Sequence, residues 1–325
     1  MGAASKVLGL PSFLFSVFVL YWSLPIFAVL YRIRFAKMIG KRNDVLDWAK
    51  SLVRFFGITV LRQGQEQLYT GGPCLYLCNH RSWADFFLDV YLTEGHAAVM
   101  SRWLVYFVFP VFCTSCLILK TIVLFKRGTI RDKEGFNRWL DAVLARSNVP
   151  GLLVFPEGHR SLRPASLPLK RGMLHYAYGR KLAIQMVVTR GKEEVMSEKT
   201  MAVRFGRTLV TTYSKVLRPA DYPDFEAFFA DLQSTWDGCW EAAYRKPRED
   251  AVRHSLGAAP GFHYPFATRV AQLGATLGSI ALFGLVLVGC WRGLAAALAA
   301  TGAAQQAVAA LLAVWVGGSM LRSFL

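Results

Sequence analysis

The sequence predicts an α/β domain held at a membrane by both of its ends, and three observations lead there. Short β-rich runs alternate with helical stretches from Asp44 to about Pro265, the order expected of a layered α/β architecture. Those β runs are continuously apolar rather than alternating, as in strands covered on both faces. The chain is also 54% hydrophobic, above the roughly 45–50% of soluble proteins, and the excess lies in long uncharged runs near the two ends. The expected organisation is therefore an N-terminal membrane anchor with a basic juxtamembrane segment (1–43), a folded domain (44–265) and a C-terminal transmembrane hairpin (266–325).

Residues 8–31 carry no charge, which gives a helix long enough to cross the roughly 30 Å hydrocarbon layer. The run is too long for the core of a secretory signal, and no small-x-small cleavage site closes it. Pro11 and Pro25 leave a kinked or shallow hairpin as the alternative. No acidic residue precedes Asp44, while Arg32, Arg34, Lys37, Lys41 and Arg42 follow the run. That bias marks a cytoplasmic helix end, so the folded domain is expected in the cytosol.

Candidate strands cover 74–78, 97–101, 121–125, 151–155 and 183–188, followed by a hairpin of 202–205 and 208–213 joined through Gly206-Arg207. Pro223-Asp224 opens a helix in which Phe225, Phe228, Phe229, Leu232, Trp236, Trp240 and Ala243 recur at helical spacing. Residues 246–260 are polar and read as a linker. Beyond it, 270–291 and 293–321 are uncharged, separated by Arg292 and closed by Arg322, the pattern of a membrane hairpin. The segment 103–119 is uncharged too, but it is short and contains Pro110. Were it to cross the bilayer, the strands on either side would lie in different compartments, so it is expected to be a helix of the α/β domain pressed into one leaflet.

The formal charge of +17 draws nucleic acid, anionic lipid and polyanionic substrates alike. The anchor favours lipid, no nucleic-acid motif appears, and a juxtamembrane basic residue gains on the order of 1 kcal/mol at an anionic surface. Membrane lipid is thus the expected partner and nucleic acid is not. Cys74 and Cys78 fall in a buried strand, Cys113 and Cys116 in an apolar segment, and neither pair has a second pair or a His-x-x-x-His to complete a zinc site. Buried free thiols and no metal are expected.

Two polar clusters follow apolar strands. In Asn79-His80-Arg81-Ser82-Trp83-Ala84-Asp85, His80 and Asp85 are five positions apart, which on one helix would separate them by about 140°. They meet only if His80 sits in a turn and Ser82 caps the helix that carries Asp85. Asp85 then orients the imidazole so that its other nitrogen takes a proton from a substrate hydroxyl. The plainer reading, that Asp85 only satisfies the first helical amides, stands beside it. The second cluster is Phe155-Pro156-Glu157-Gly158-His159-Arg160-Ser161.

With these segments the chain resembles the glycerolipid acyltransferase family, in particular its lysophosphatidic acid and other lysophospholipid acyltransferases. The first block, Asn-His-x4-Asp, matches Asn79, His80 and Asp85. The second, an apolar strand ending in Phe and then Arg, matches Leu124-Phe125-Lys126-Arg127, with Lys126 where an acid is common. The third, Phe-Pro-Glu-Gly-Thr-Arg-Ser, matches Phe155 to Ser161 with His159 in place of Thr. The fourth corresponds loosely to 183–188 and lacks its proline. The similarity covers about 76–189.

The resemblance implies a mixed sheet with flanking helices and transfer of an acyl group from acyl-CoA to a lysophospholipid acceptor, such as 1-acylglycerol-3-phosphate. It implies no tightly bound cofactor, acyl-CoA being a co-substrate. His80 and Asp85 are then the catalytic pair. Asn79, Arg127, Glu157, Gly158 and Arg160 are the substrate-binding candidates: Arg127 and Arg160 for the phosphate, Glu157 to position Arg160 or bind the glycerol, Gly158 for close backbone approach. Lys170 and Arg171 are weaker phosphate candidates, equal to a plain solvated helix start, and His159 is assigned no catalytic role. The apolar face of 103–119 is a natural entry for acyl chains. Residence in the endoplasmic reticulum is the default for such an enzyme. The alternatives are a remodelling enzyme for lysophosphatidylcholine, lysophosphatidylinositol or lysocardiolipin, a transacylase, or a noncatalytic membrane protein that binds anionic lipid.

Overall fold

The computed structural model describes residues 3–34, 40–126, 128, 132–246, 249–299 and 302–325. Its centre is an eight-stranded sheet built from β1 (Thr59–Arg62), β2 (Cys74–Cys78), β3 (Ala97–Arg102), β4 (Ile122–Phe125), β5 (Gly151–Val154), β6 (Ala183–Arg190), β9 (Thr208–Tyr213) and β10 (Val252–Arg253), while β7 (Met196–Ser197) and β8 (Ala202–Val203) form a separate pair. The order is β10-β1-β9-β6-β2-β5-β3-β4. From β6 to β4 every neighbour is parallel, whereas β9 runs antiparallel to β6 and parallel to β1.

The continuous apolar runs have a direct explanation. Cys74, Tyr76 and Cys78 of β2 join one core and Leu75 and Leu77 the other, because successive side chains of a strand point to opposite faces. The first core is covered by α2 (Asp44–Phe55), α3 (Asp85–Leu92) and α5 (Pro110–Ile118). The second lies under α6 (Lys133–Ala145), α7 (Gly172–Gly179) and α9 (Phe225–Tyr244). As its pattern requires, α9 starts at an Asp224 cap that accepts the Ala227 amide at 2.8 Å, and it buries Phe228, Leu232, Trp236, Trp240 and Ala243.

Several expectations need correction. The 202–205/208–213 hairpin does not form: β8 pairs with β7, and β9 inserts between β1 and β6. Both partners of β9 are distant in sequence, so no local turn signal reveals them. The presumed linker contains β10, which closes the sheet edge against β1, and its Gly257 amide binds Glu94 at 2.8 Å. Segment 103–119 is two helices, α4 (Trp103–Val108) and α5, broken at Phe109 with Pro110 opening the second. That is the one helical position where proline loses nothing. No residue of α4 is buried, and Leu104 and Phe107 are 68% and 76% exposed.

At the N-terminus a single helix, α1 (Ala3–Arg34), runs through Pro11 and Pro25 without a hairpin turn. It lies along the domain: the Trp48 indole donates to Ser23 at 2.7 Å, Phe13 meets Trp83, and Gly9 lets the helix backbone approach the Met201 carbonyl. At the other end α10 (Phe266–Ala299) continues straight through Arg292, and α11 (Ala303–Arg322) follows. Residues 4–26 and 266–296 are long and apolar enough to cross a membrane. The first is 44% buried against protein and the second only 11%, so α10 is the more lipid-ready of the two. Phe324 stacks on Phe205, and the Phe205 amide donates to the Ser323 carbonyl at 2.7 Å, docking the end of α11 on the domain.

Candidate active site

Strands β2 and β5 are parallel neighbours in the register Leu75↔Leu152 to Leu77↔Val154, so the polar clusters that follow them emerge side by side at the carboxyl edge of the sheet. In open α/β sheets that edge is where ligands bind. The Ser161 amide donates to the His80 carbonyl at 3.1 Å and ties the two loops together.

His80 lies in the turn after β2, and its Nδ1–H donates to Asp85 Oδ2 at 2.7 Å. The same oxygen accepts the Arg81 and Ser82 amides at 2.6 and 3.1 Å. Asp85 therefore contacts the imidazole and also satisfies two amides of the turn before the helix. The helix itself begins at Asp85, not after Ser82, whose hydroxyl accepts the Ala84 amide at 3.1 Å. Phe155 stacks on the imidazole at 4.1 Å. Burial lowers the His80 pKa below the usual histidine value, outweighing the Asp85 bond, and Arg160 and Lys192 push the same way. A neutral imidazole with Nδ1 engaged leaves Nε2 free to accept a proton. Burial also pushes the Asp85 carboxyl up, but Lys192 and His80 outweigh it and hold the group below its ordinary value.

Asn79 is buried and committed to the scaffold: its amide donates to the Thr189 carbonyl at 2.9 Å and its oxygen accepts the Thr189 amide at 3.0 Å. Glu157 does not pair with Arg160. Its Oε2 accepts the His80 amide at 3.2 Å, and burial raises its pKa to about 7. Arg160 instead pairs with Glu198 at 3.0 Å and lies over Trp83. Gly158 has φ +77, a left-handed backbone that other residues adopt only with strain, and its carbonyl accepts from Arg102 at 2.8 Å. Arg127 lies outside the described residues.

A cavity of about 1090 Å³ opens on this edge. Its apolar part is formed by Trp83, Phe86, Val105, Val108 and Phe109, next to the bare face of α4. Its basic part holds Arg102, Lys133, His159, Arg160 and Lys170, and His80 lines the same space. Sequence reasoning missed Arg102, whose only signal is a cation closing an apolar strand. It also missed Lys192 and Glu193, which follow β6 through Gly191. Among the described residues no group of three or more His, Cys, Asp or Glu is arranged to hold a metal ion, and Cys74, Cys78, Cys113 and Cys116 are buried free thiols.

Residues 59–189 match the acyltransferase family model. A 1-acyl-sn-glycerol-3-phosphate acyltransferase of Cocos nucifera is 24% identical over 168 residues, 51% of this chain and 53% of that relative, so the match spans about half the relative's length. The fold is similar to the solved 1-acyl-sn-glycerophosphate acyltransferase PlsC of Thermotoga maritima, with a TM-score of 0.54 at 14% identity, covering 73% of this chain and 98% of that one. Residues 59–189 thus carry the acyltransferase match, and the chain is similar to glycerolipid acyltransferases in sequence and in fold.

Proposed function

We propose that this acyltransferase moves an acyl group from acyl-CoA to the free hydroxyl of 1-acylglycerol-3-phosphate, giving phosphatidic acid, with His80 as general base and Asp85 fixing its orientation. The observation that carries the reading is the 2.7 Å His80–Asp85 bond beside a cavity lined by both apolar and basic residues. His80 Nε2 takes the proton of the acceptor hydroxyl as its oxygen attacks the thioester carbonyl. The tetrahedral intermediate collapses, the C–S bond breaks, and the thiolate of CoA recovers the proton from the imidazolium. Arg160, which lines the cavity, and Arg127 bind the acceptor phosphate. Glu157 supports the turn through the His80 amide, and Asn79 holds it against β6.

The folded domain of residues 44–265 works at the membrane surface on the cytosolic side, in the endoplasmic reticulum, with α10 and α11 as the bilayer hairpin. The exposed apolar face of α4 admits acyl chains to the cavity. Purified protein given one labelled acyl-CoA and a panel of lysophospholipids tests the reading. Lysophosphatidic acid is expected to be the best acceptor. A clear preference for lysophosphatidylcholine, lysophosphatidylinositol or lysocardiolipin would replace it with a remodelling activity. Transfer without CoA would make the protein a transacylase.

A further inference from the structure

Lys192 has no place in the recognised motifs, yet its side chain is fully buried directly beneath them. Its ammonium donates to the Asn79 carbonyl at 2.6 Å and to both Asp89 oxygens at 2.9 and 3.0 Å, and it lies 3.5 Å from Asp85 Oδ1. That Asp85 oxygen has no hydrogen-bond partner. A buried ammonium is retained only where carboxylates and carbonyls replace its water, and here those partners are the residue before His80 and the acid that orients it.

The chain delivers Lys192 by a specific turn. Gly191 takes φ +95, where a Cβ would lie 3.0 Å from the Leu209 side chain and 3.3 Å from the Thr208 carbonyl. The short helix α8 (Lys192–Val195) starts there. Its next residue, Glu193, accepts from the Arg81 guanidinium at 2.6 and 3.1 Å, so adjacent opposite charges grip the motif turn from below.

We propose that Lys192 is a positioning residue for acyl transfer, tying the main chain in front of the imidazole to the carboxylate that steers it. The inference rests on His80 acting as the base. Burial raises the Asp89 pKa to about 7; above that pH both carboxylates are ionised, and Asp85, Asp89 and Lys192 leave one net negative charge in the interior, which the imidazolium formed during turnover neutralises. The other groups facing the cluster include Cys78 on β2, Arg81 and Glu157 in the motif loops, Arg160, and Tyr244 on α9.

The test compares Lys192→Met, the double variant Lys192→Met/Asp89→Asn and His80→Ala with the wild-type protein in the same lipid or detergent. The double variant keeps one net negative charge, Asp85 alone, and so preserves the interior balance while removing the tie. It is expected to fold and to turn over about 10- to 100-fold more slowly, with each substrate KM changed less than about threefold. In Lys192→Met alone, loss of the nearby ammonium lets the imidazole hold its proton more tightly, so the acid limb of kcat moves to higher pH by about half a unit or more. Turnover within about threefold of wild type, an unmoved acid limb, or failure of both Lys192 variants to fold would overturn the inference. Activity in His80→Ala would instead overturn the base assignment on which it rests.

Discussion

The loops that follow β2 and β5 leave neighbouring strands and share one hydrogen bond, yet they are built in opposite ways. In the first, Asn79, Arg81, Ser82 and Asp85 are all buried, and their polar groups are taken up by main chain, Lys192 and Glu193. In the second, Glu157 is buried but His159 is exposed, and the Arg160 side chain is 31% exposed with one partly covered ion-pair partner. A loop held this closely suits proton transfer, which tolerates little movement. An open loop of cationic donors suits a charged ligand that arrives from water.

Substitutions should therefore act differently on the two loops. The largest effect belongs to His80→Ala, which removes the proton acceptor and is expected to lower kcat at least about 10³-fold in a protein that still folds. Asp85→Asn keeps the shape but donates where the carboxylate accepted, and a loss of about 10²-fold or more is expected. Near-normal turnover in either variant would break the contrast.

Arg81→Met strands Glu193 and removes the stack over Trp240 and Tyr244, so chemical denaturation should register a loss of about 3–5 kcal/mol. Glu157→Gln keeps an acceptor for the His80 amide and removes the ionisation. Because the folded carboxyl has its pKa raised from 4.5 to about 7, wild-type stability should fall as pH rises from about 4.5 to about 7, by up to about 3 kcal/mol. The variant should show a shallower fall, because the Asp89 carboxyl, also raised to about 7, keeps its own share, and equal slopes would contradict the burial argument. The smallest effect on stability is expected from Arg160→Ala, under about 1 kcal/mol for so exposed a pair. There the acceptor KM should rise about tenfold with kcat little changed, and an unchanged KM would remove Arg160 from the acceptor site.

The sequence made the parallel strands and α9 legible because their signals are local: apolar runs of strand length, and Phe228, Leu232 and Trp236 at helical spacing behind an Asp224 cap. It placed the β9 strand but mispaired it and left β10 unseen, since strand pairing across 187–213 and 61–253 carries no mark in either segment alone. At the site, His80 and Asp85 were readable because a five-residue spacing after a strand restricts the geometry. Lys192 was not, being more than a hundred residues away in the chain and brought beneath Asp85 only by the β2–β6 pairing. The Glu157–Arg160 pair failed for the opposite reason: closeness in sequence suggested contact, but the left-handed Gly158 turns the two side chains to different partners.

The proposed acyl transfer depends on a neutral imidazole whose Nδ1–H donates to Asp85. Nitrogen NMR of histidine-labelled protein in detergent, with His80→Ala to assign the signal, reads this directly. At pH 7.5 the His80 ring should be uncharged with Nδ1 protonated and Nε2 bare, and its titration should fall below the usual histidine value. An imidazolium at that pH, or a ring protonated at Nε2 alone, would contradict it.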